Sequence, residues 1–225
     1  VKRIILIFVT LQLSACCAYA QLAVPSFPEN KLFNDTVQSW QTWKLAENFS
    51  FGKDRGDLAM IAELHSLHPY FRDKIVQLIA NCKKKGIHLE VVEAYRTHAK
   101  QMEYYSMGKK FTNSLGGKSK HQYGLAVDLV PIVKGEPEWD NKTLWLKIGL
   151  EGEKLGLRWG GRWKKPYDPC HFEWSGGLKT TQLATGLLPA VPNCESSYPC
   201  LDEDLETLRF HWNAWEISQQ VRKSP

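Results

Sequence analysis

Ser119-Lys120-His121-Gln122-Tyr123-Gly124-Leu125-Ala126-Val127-Asp128 is the stretch from which the rest of the chain can be read. Gly124 to Val133 is an apolar run opened by a glycine, and it predicts a buried strand. Just ahead of it stands a histidine. His121 and Asp128 can reach one cation if the chain turns between them, and Gly124 permits that turn. Imidazole and carboxylate together suit Zn²⁺. An exposed histidine and a strand-end aspartate would make the same pattern, so the metal reading needs a third ligand.

Asp168-Pro169-Cys170-His171-Phe172-Glu173-Trp174 offers one, after the Gly/Trp-rich Trp159-Gly160-Gly161-Arg162-Trp163. With His171 there would be three protein ligands, which leaves one tetrahedral position open, the catalytic arrangement. Asp168 could take a proton from water without binding the metal; read alone, it is a turn-forming Asp before Pro. Arg96, in Tyr95-Arg96-Thr97-His98, sits where a strand gives way to a helix and could face the same cleft. An arginine there can stabilise a developing oxyanion.

Outward from these motifs, Leu58, Ile61, Ala62, Leu64 and Leu67 have helical spacing. Further helices are predicted from about Pro69 to Lys85, from Thr97 to Met107 and from Asn141 to Leu155, each closed by a glycine. Ile87 to Ala94 alternates as a strand. Helices and strands mix without regular βαβ alternation, so the class is α+β with a single catalytic domain at 57–175. An N-terminal arm (21–56) precedes it. A C-terminal extension (176–225) follows, with a Cys194–Cys200 loop and an aromatic helix through Phe210, Trp212 and Trp215.

Composition narrows the function classes. The 225 residues are 43% hydrophobic and 12% aromatic, too apolar for a disordered chain. A net charge of +5 is too mild to argue for nucleic acid, and fits a diffusely anionic partner such as a cell-wall polymer. Lys2 and Arg3, the apolar run Ile4 to Leu13, and Ala18-Tyr19-Ala20 have the pattern of a secretory signal peptide at 1–20. The expected location is therefore periplasmic or secreted. Leu13-Ser14-Ala15-Cys16 resembles a bacterial lipobox, the alternative processing signal, and only lipidation of Cys16 would bring in a membrane. Cleavage after Ala20 leaves four cysteines, an even set for which Cys194–Cys200 and then Cys82–Cys170 are the expected disulfides.

Taken together, S-x-H-x-x-G-x-A-x-D at 119–128, the Y-R before a helix containing Gln101, W-G-G-x-W and D-x-x-H-F-E resemble one family. It comprises zinc peptidoglycan peptidases: D-alanyl-D-alanine carboxypeptidases, vancomycin-resistance D-Ala-D-Ala dipeptidases and phage L-alanyl-D-glutamate endolysins. The resemblance covers roughly residues 57 to 175. It implies a small antiparallel sheet flanked by helices, shared with the Hedgehog signalling domain. Carried over by position, His121, Asp128 and His171 would bind one zinc ion, Asp168 would be the general base, and Arg96 would stabilise the tetrahedral intermediate. Ser119 and Gln101 would touch substrate. Cys170 departs from the pattern, standing where many members have Pro before the last His. Asp at 168 looks more like the endopeptidases. The implied activity is L-alanyl-D-glutamate endopeptidase, with D-alanyl-D-alanine carboxypeptidase as the alternative. A zinc-stabilised binding module without catalysis is the reading of another class.

Overall fold

The computed structural model describes residues 31–34, 39–42 and 44–191. The leader, the Cys194–Cys200 loop and the expected tail helix lie outside them. Among the described residues no helix is long and apolar enough to cross a membrane.

The predicted buried strand is the centre of the molecule. It runs over Ala126–Val133 and is buried from Ala126 to Pro131, as expected of a strand covered on both faces. In chain order the strands are β1 (Lys31–Asn34), β2 (Ser39–Thr42), β3 (Leu45–Ala46), β4 (Met60–Ile61), β5 (His88–Glu93), β6 (Ala126–Val133), β7 (Glu136–Pro137), β8 (Arg158–Trp159) and β9 (His171–Glu173). The main sheet is antiparallel in the order β5-β6-β9-β8, with β7 paired to the end of β6. Lys134 and Gly135 turn β6 into β7, both at positive φ (54° and 89°), the conformation a two-residue hairpin requires.

Helices α1 (Pro69–Lys84), α2 (His98–Ser106), α3 (Lys142–Lys154) and α4 (Thr180–Ala184) surround the sheet. Phe71, Ile75, Leu78 and Cys82 form the buried stripe of α1. This stripe packs on β5 and α3 over a core that includes Leu129, Trp145, Ile148 and Phe172. Thr97 caps α2, its Oγ1 accepting from Lys100 N at 3.1 Å. The class is α+β, as the sequence predicts.

Three expectations change. Residues 58–67 are not a helix: β4 and a short 3₁₀ turn (Leu64–Ser66) occupy the stretch. Ala62 N donates to Lys44 O (2.8 Å), and Ile61 O accepts from Ala94 N (2.7 Å). A short apolar run fits either period, and pairing with β3 and the end of β5 decides it. The packed body also exceeds 57–175. Ala46 on β3 joins the core, while Leu183 and Ala184 on α4 pack with Tyr95, Tyr123 and Leu125. Finally, Cys82 and Cys170 are both free and buried. Cys82 lies beside Glu151 and Lys85, whereas Cys170 Sγ donates to Asp168 Oδ1 at 3.0 Å, so the two thiols serve different surroundings and no disulfide joins them.

Candidate metal centre and active site

Strand register brings the first two candidate ligands together. Asp128 on β6 pairs directly with His171 on β9, so their side chains are cross-strand neighbours. His121 arrives from a 3₁₀ turn (Lys120–Tyr123) that Gly124 ends at φ 59°, a left-handed conformation that glycine adopts freely. His121 Nε2 lies 3.2 Å from His171 Nδ1 and 3.5 Å from Asp128 Oδ1, and His171 Nδ1 lies 3.2 Å from Asp128 Oδ1. All three residues are buried, and their ligand atoms fall within 4.8 Å of one another.

The outer nitrogens are also spoken for. His121 Nδ1 lies 3.1 Å from Ala94 O, and His171 Nε2 lies 3.2 Å from Glu173 Oε2. Donation to these acceptors turns a lone pair of each ring inward, the arrangement that orients metal-binding imidazoles. Burial opposes the charge of Asp128, but His121 and His171 outweigh it and hold its carboxyl well below the usual range. Burial likewise opposes a charged His171, yet its bonds to Asp128 and Glu173 push it up to about 10. Glu173 is pulled down to about 2: burial works against it, while His171 and Lys120 prevail. Lys120 Nζ (2.8 Å) and Arg158 Nη1 (2.7 Å) both donate to Glu173 Oε1. A dense set of negative and imidazole donors, braced from behind, fits a divalent zinc ion.

Asp168 stands on the loop leading to His171. Its N–H donates to Gly160 O (3.2 Å), and its own carbonyl accepts from His171 N (3.3 Å). A Cβ at Gly160 would lie 2.3 Å from Asp168 O, which explains the first glycine of W-G-G-x-W as a close approach of two backbones. Burial, Asp128 and Asp168 together push the Cys170 thiol well up, so it stays protonated and donates to Asp168. The Trp163 ring lies 5.1 Å from His171 and forms a wall of the site.

Arg96 is buried beside the triad, with Nη2 3.8 Å from Asp128 Oδ2. Its Nε donates to Glu93 Oε1 at 3.0 Å, Nη2 donates to Glu93 Oε2, and Nη1 donates to Gln101 Oε1 at 3.1 Å. A break in register between Val91 and Glu93 puts Glu93 opposite Asp128, as bulges do where a strand must re-aim a side chain. Gln101 is wholly buried, and its Nε2 donates to Ser114 O at 2.5 Å. It therefore helps to fix the Arg96 guanidinium. Ser119 precedes the turn that carries His121 and is 9% exposed. Glu93 and the bracing role of Glu173 escape the sequence reading, since they follow from a bulge and from strand register.

The chain is similar to known proteins. A family model described as D-alanyl-D-alanine carboxypeptidase matches residues 112–174. The peptidoglycan L-alanyl-D-glutamate endopeptidase CwlK of Bacillus subtilis (strain 168) is 34% identical over 121 residues, covering 48% of this chain and 72% of CwlK. Among solved structures, the Serratia marcescens L-Ala D-Glu endopeptidase ChiX is 26% identical with a TM-score of 0.42, over 49% of this chain and 81% of ChiX. The vancomycin-resistance D,D-pentapeptidase VanY, in complex with Zn(II), is 18% identical with a TM-score of 0.37, over 63% and 83%.

Proposed function

Because the chain belongs to the family of zinc peptidoglycan peptidases that includes CwlK, we propose that it hydrolyses the L-alanyl–D-glutamate bond of peptidoglycan stem peptides. The observation that carries this reading is the buried His121–Asp128–His171 triad, which lies inside residues 112–174, the stretch that the family model matches. One zinc ion held by these residues would act as a Lewis acid on the scissile carbonyl and make water a better nucleophile.

The protein's own groups account for the rest of the reaction. Asp168 accepts a proton from the attacking water and returns it to the leaving amine. Its Oδ1 is held by Cys170, and among the described residues Oδ2 has no donor, which leaves that oxygen for the transfer. Arg96, fixed by Glu93 and Gln101, contributes positive charge near the carbonyl oxygen as it becomes an oxyanion. Trp163 and the sheet keep bulk water from the imidazoles. The substrate lies outside the cytoplasm, in keeping with the leader-like pattern of residues 1–20.

The family model's description favours a second reading, cleavage of a terminal D-Ala–D-Ala bond. Mass spectrometry of muropeptides separates the two. Digestion of purified peptidoglycan should release L-alanyl ends and new D-glutamyl amines, and chelator should abolish both. Loss of D-alanine alone would assign the carboxypeptidase, and no release by the zinc-loaded protein would reject both.

A further inference from the structure

Arg96 is held by the Glu93 carboxylate, whereas Arg55 is not so paired. Among the described residues Arg55 has no carboxylate partner, and its Nε is sealed from solvent with no acceptor. Tyr104 Oη, a second donor, is equally sealed and unpartnered, on a side chain 4% exposed. Lys100 Nζ, 4.5 Å over the Tyr104 ring, donates to Arg55 O and so joins the two. The Tyr104 ring lies under the Arg96 guanidinium, 4.8 Å from its Cζ. Burial opposes the Arg55 charge, but Cys170, Asp128, Tyr104 and Glu93 act on it and raise it, all of them groups at or beside the triad.

The Arg55 backbone is held firmly. Asn48 Oδ1 accepts its N–H at 2.6 Å, and buried Lys100 Nζ donates to Arg55 O and, at 2.5 Å, to Leu58 O. Glu103 Oε1 accepts from Asp57 N and Leu58 N (2.5 and 3.0 Å). Gly56 follows at φ +83°, where a Cβ would meet the Glu103 carboxylate at 2.6 Å. Trp139 packs against the Arg55 guanidinium on a ring that Lys53 Nζ also covers at 3.9 Å, and its Nε1 ties down Phe51 O (2.9 Å). Such a build presents a cation with its position fixed beforehand.

A guanidinium whose Nε is sealed without an acceptor is costly, and the cost is relieved when a ligand brings the anion. The planar fork of arginine suits a carboxylate in particular. We propose that Arg55, with Tyr104 Oη as second donor, binds the free carboxylate of the glutamate on the leaving-group side of the scissile bond. This rests on the endopeptidase reading above, in which a glutamate supplies the leaving amine and can present its free carboxylate near the bond.

The test uses the zinc-loaded protein and two synthetic peptides that differ only in whether this glutamate carboxyl is free or amidated. The wild type should prefer the acid by about 10–100-fold in kcat/KM, mainly through KM. Arg55→Gln should collapse the preference while zinc content and Tm are kept, Arg55→Lys should restore part of it, and Tyr104→Phe should reduce it less. Binding of the two corresponding product peptides to the metal-free protein, followed by calorimetry, should show the same preference and the same loss. Equal losses on both peptides in Arg55→Gln, or a fall in Tm and zinc content, would overturn the proposal in favour of a structural arginine. A preference lost only when the peptide's C-terminal carboxyl is amidated would overturn the assignment to glutamate. A wild type that cleaves both peptides alike removes the subsite and keeps the peptidase. One that cleaves neither but binds the acid product more tightly keeps the subsite and removes the peptidase.

Discussion

The two imidazoles of the triad lean on different acceptors, a neutral backbone carbonyl behind His121 and a carboxylate behind His171. A carboxylate raises the basicity of the ring it holds, so Glu173 should strengthen the metal bond of His171. Glu173→Gln keeps an acceptor but removes the charge. It should weaken zinc affinity about 10–100-fold, measured by competition with a chelator, with the fold unchanged. Asp168 is not one of the three residues that could hold the metal, so Asp168→Ala should keep zinc and lose roughly 10²–10⁴ in kcat. Wild-type turnover in that variant would move the general base to another carboxylate. These roles differ in how far sequence discloses them. His121, Asp128, His171 and Asp168 lie in compact motifs whose spacing carries the chemistry. Arg55 comes near Tyr104 only because Lys100 and Glu103 on α2 bind a distant loop, and no periodicity records that.

Elements carry information in the same uneven way. The boundaries of α1, α2 and α3 fall within a residue or two of the predicted ones, because the apolar stripe and the closing glycine are local signals. Residues 58–67 go astray because β4 exists only by pairing with distant strands. Two helix glycines show packing overriding propensity. At Gly149 an added Cβ would meet the buried Trp159 ring at 2.2 Å, and at Gly152 the Phe172 ring at 2.5 Å. Alanine is the better helix former by about 1 kcal/mol, yet crowding a rigid ring costs about 1–3 kcal/mol. Gly149→Ala should therefore be destabilising in urea titration, and a stabilised variant would show that α3 can slide away from β8. His68, at the N-cap of α1 and 5.7 Å from the Trp174 ring, is lowered to about 4 by burial. Unfolding frees it to take a proton below about 6.5. Its contribution is present above that pH and is lost as the pH falls toward 4, by up to about 1.4 kcal/mol per pH unit. His68→Gln should flatten the stability curve in this window; an unchanged slope would place the proton uptake elsewhere.

At the scale of the whole molecule, the candidate ligands come from three separate segments: the turn at 120–123, β6 and β9. Bound zinc would therefore tie the sheet to the turn beside it, while α1, α3 and β5, which form much of the main core, carry none of the three residues. Chelation should accordingly lower the unfolding temperature and leave the far-ultraviolet circular dichroism near native. Zinc at a hundred times its Kd adds about 2.7 kcal/mol, which for a chain of this size is on the order of 5–10 °C. The effect has a definite pH sign. In the metal-free protein Asp128 and Glu173 hold a proton on His171 up to about pH 10, so this residue favours the metal-free fold below about 6.5 and loses that advantage as the pH rises. Zinc must displace the same proton. The gap in Tm between zinc-loaded and chelated protein should widen from pH 6 to pH 9, and calorimetry in buffers of different ionisation enthalpy should find about one proton released per zinc near pH 8. Global unfolding on chelation would make the metal a folding element, and a gap that narrows with rising pH would mean that His171 does not ligate it.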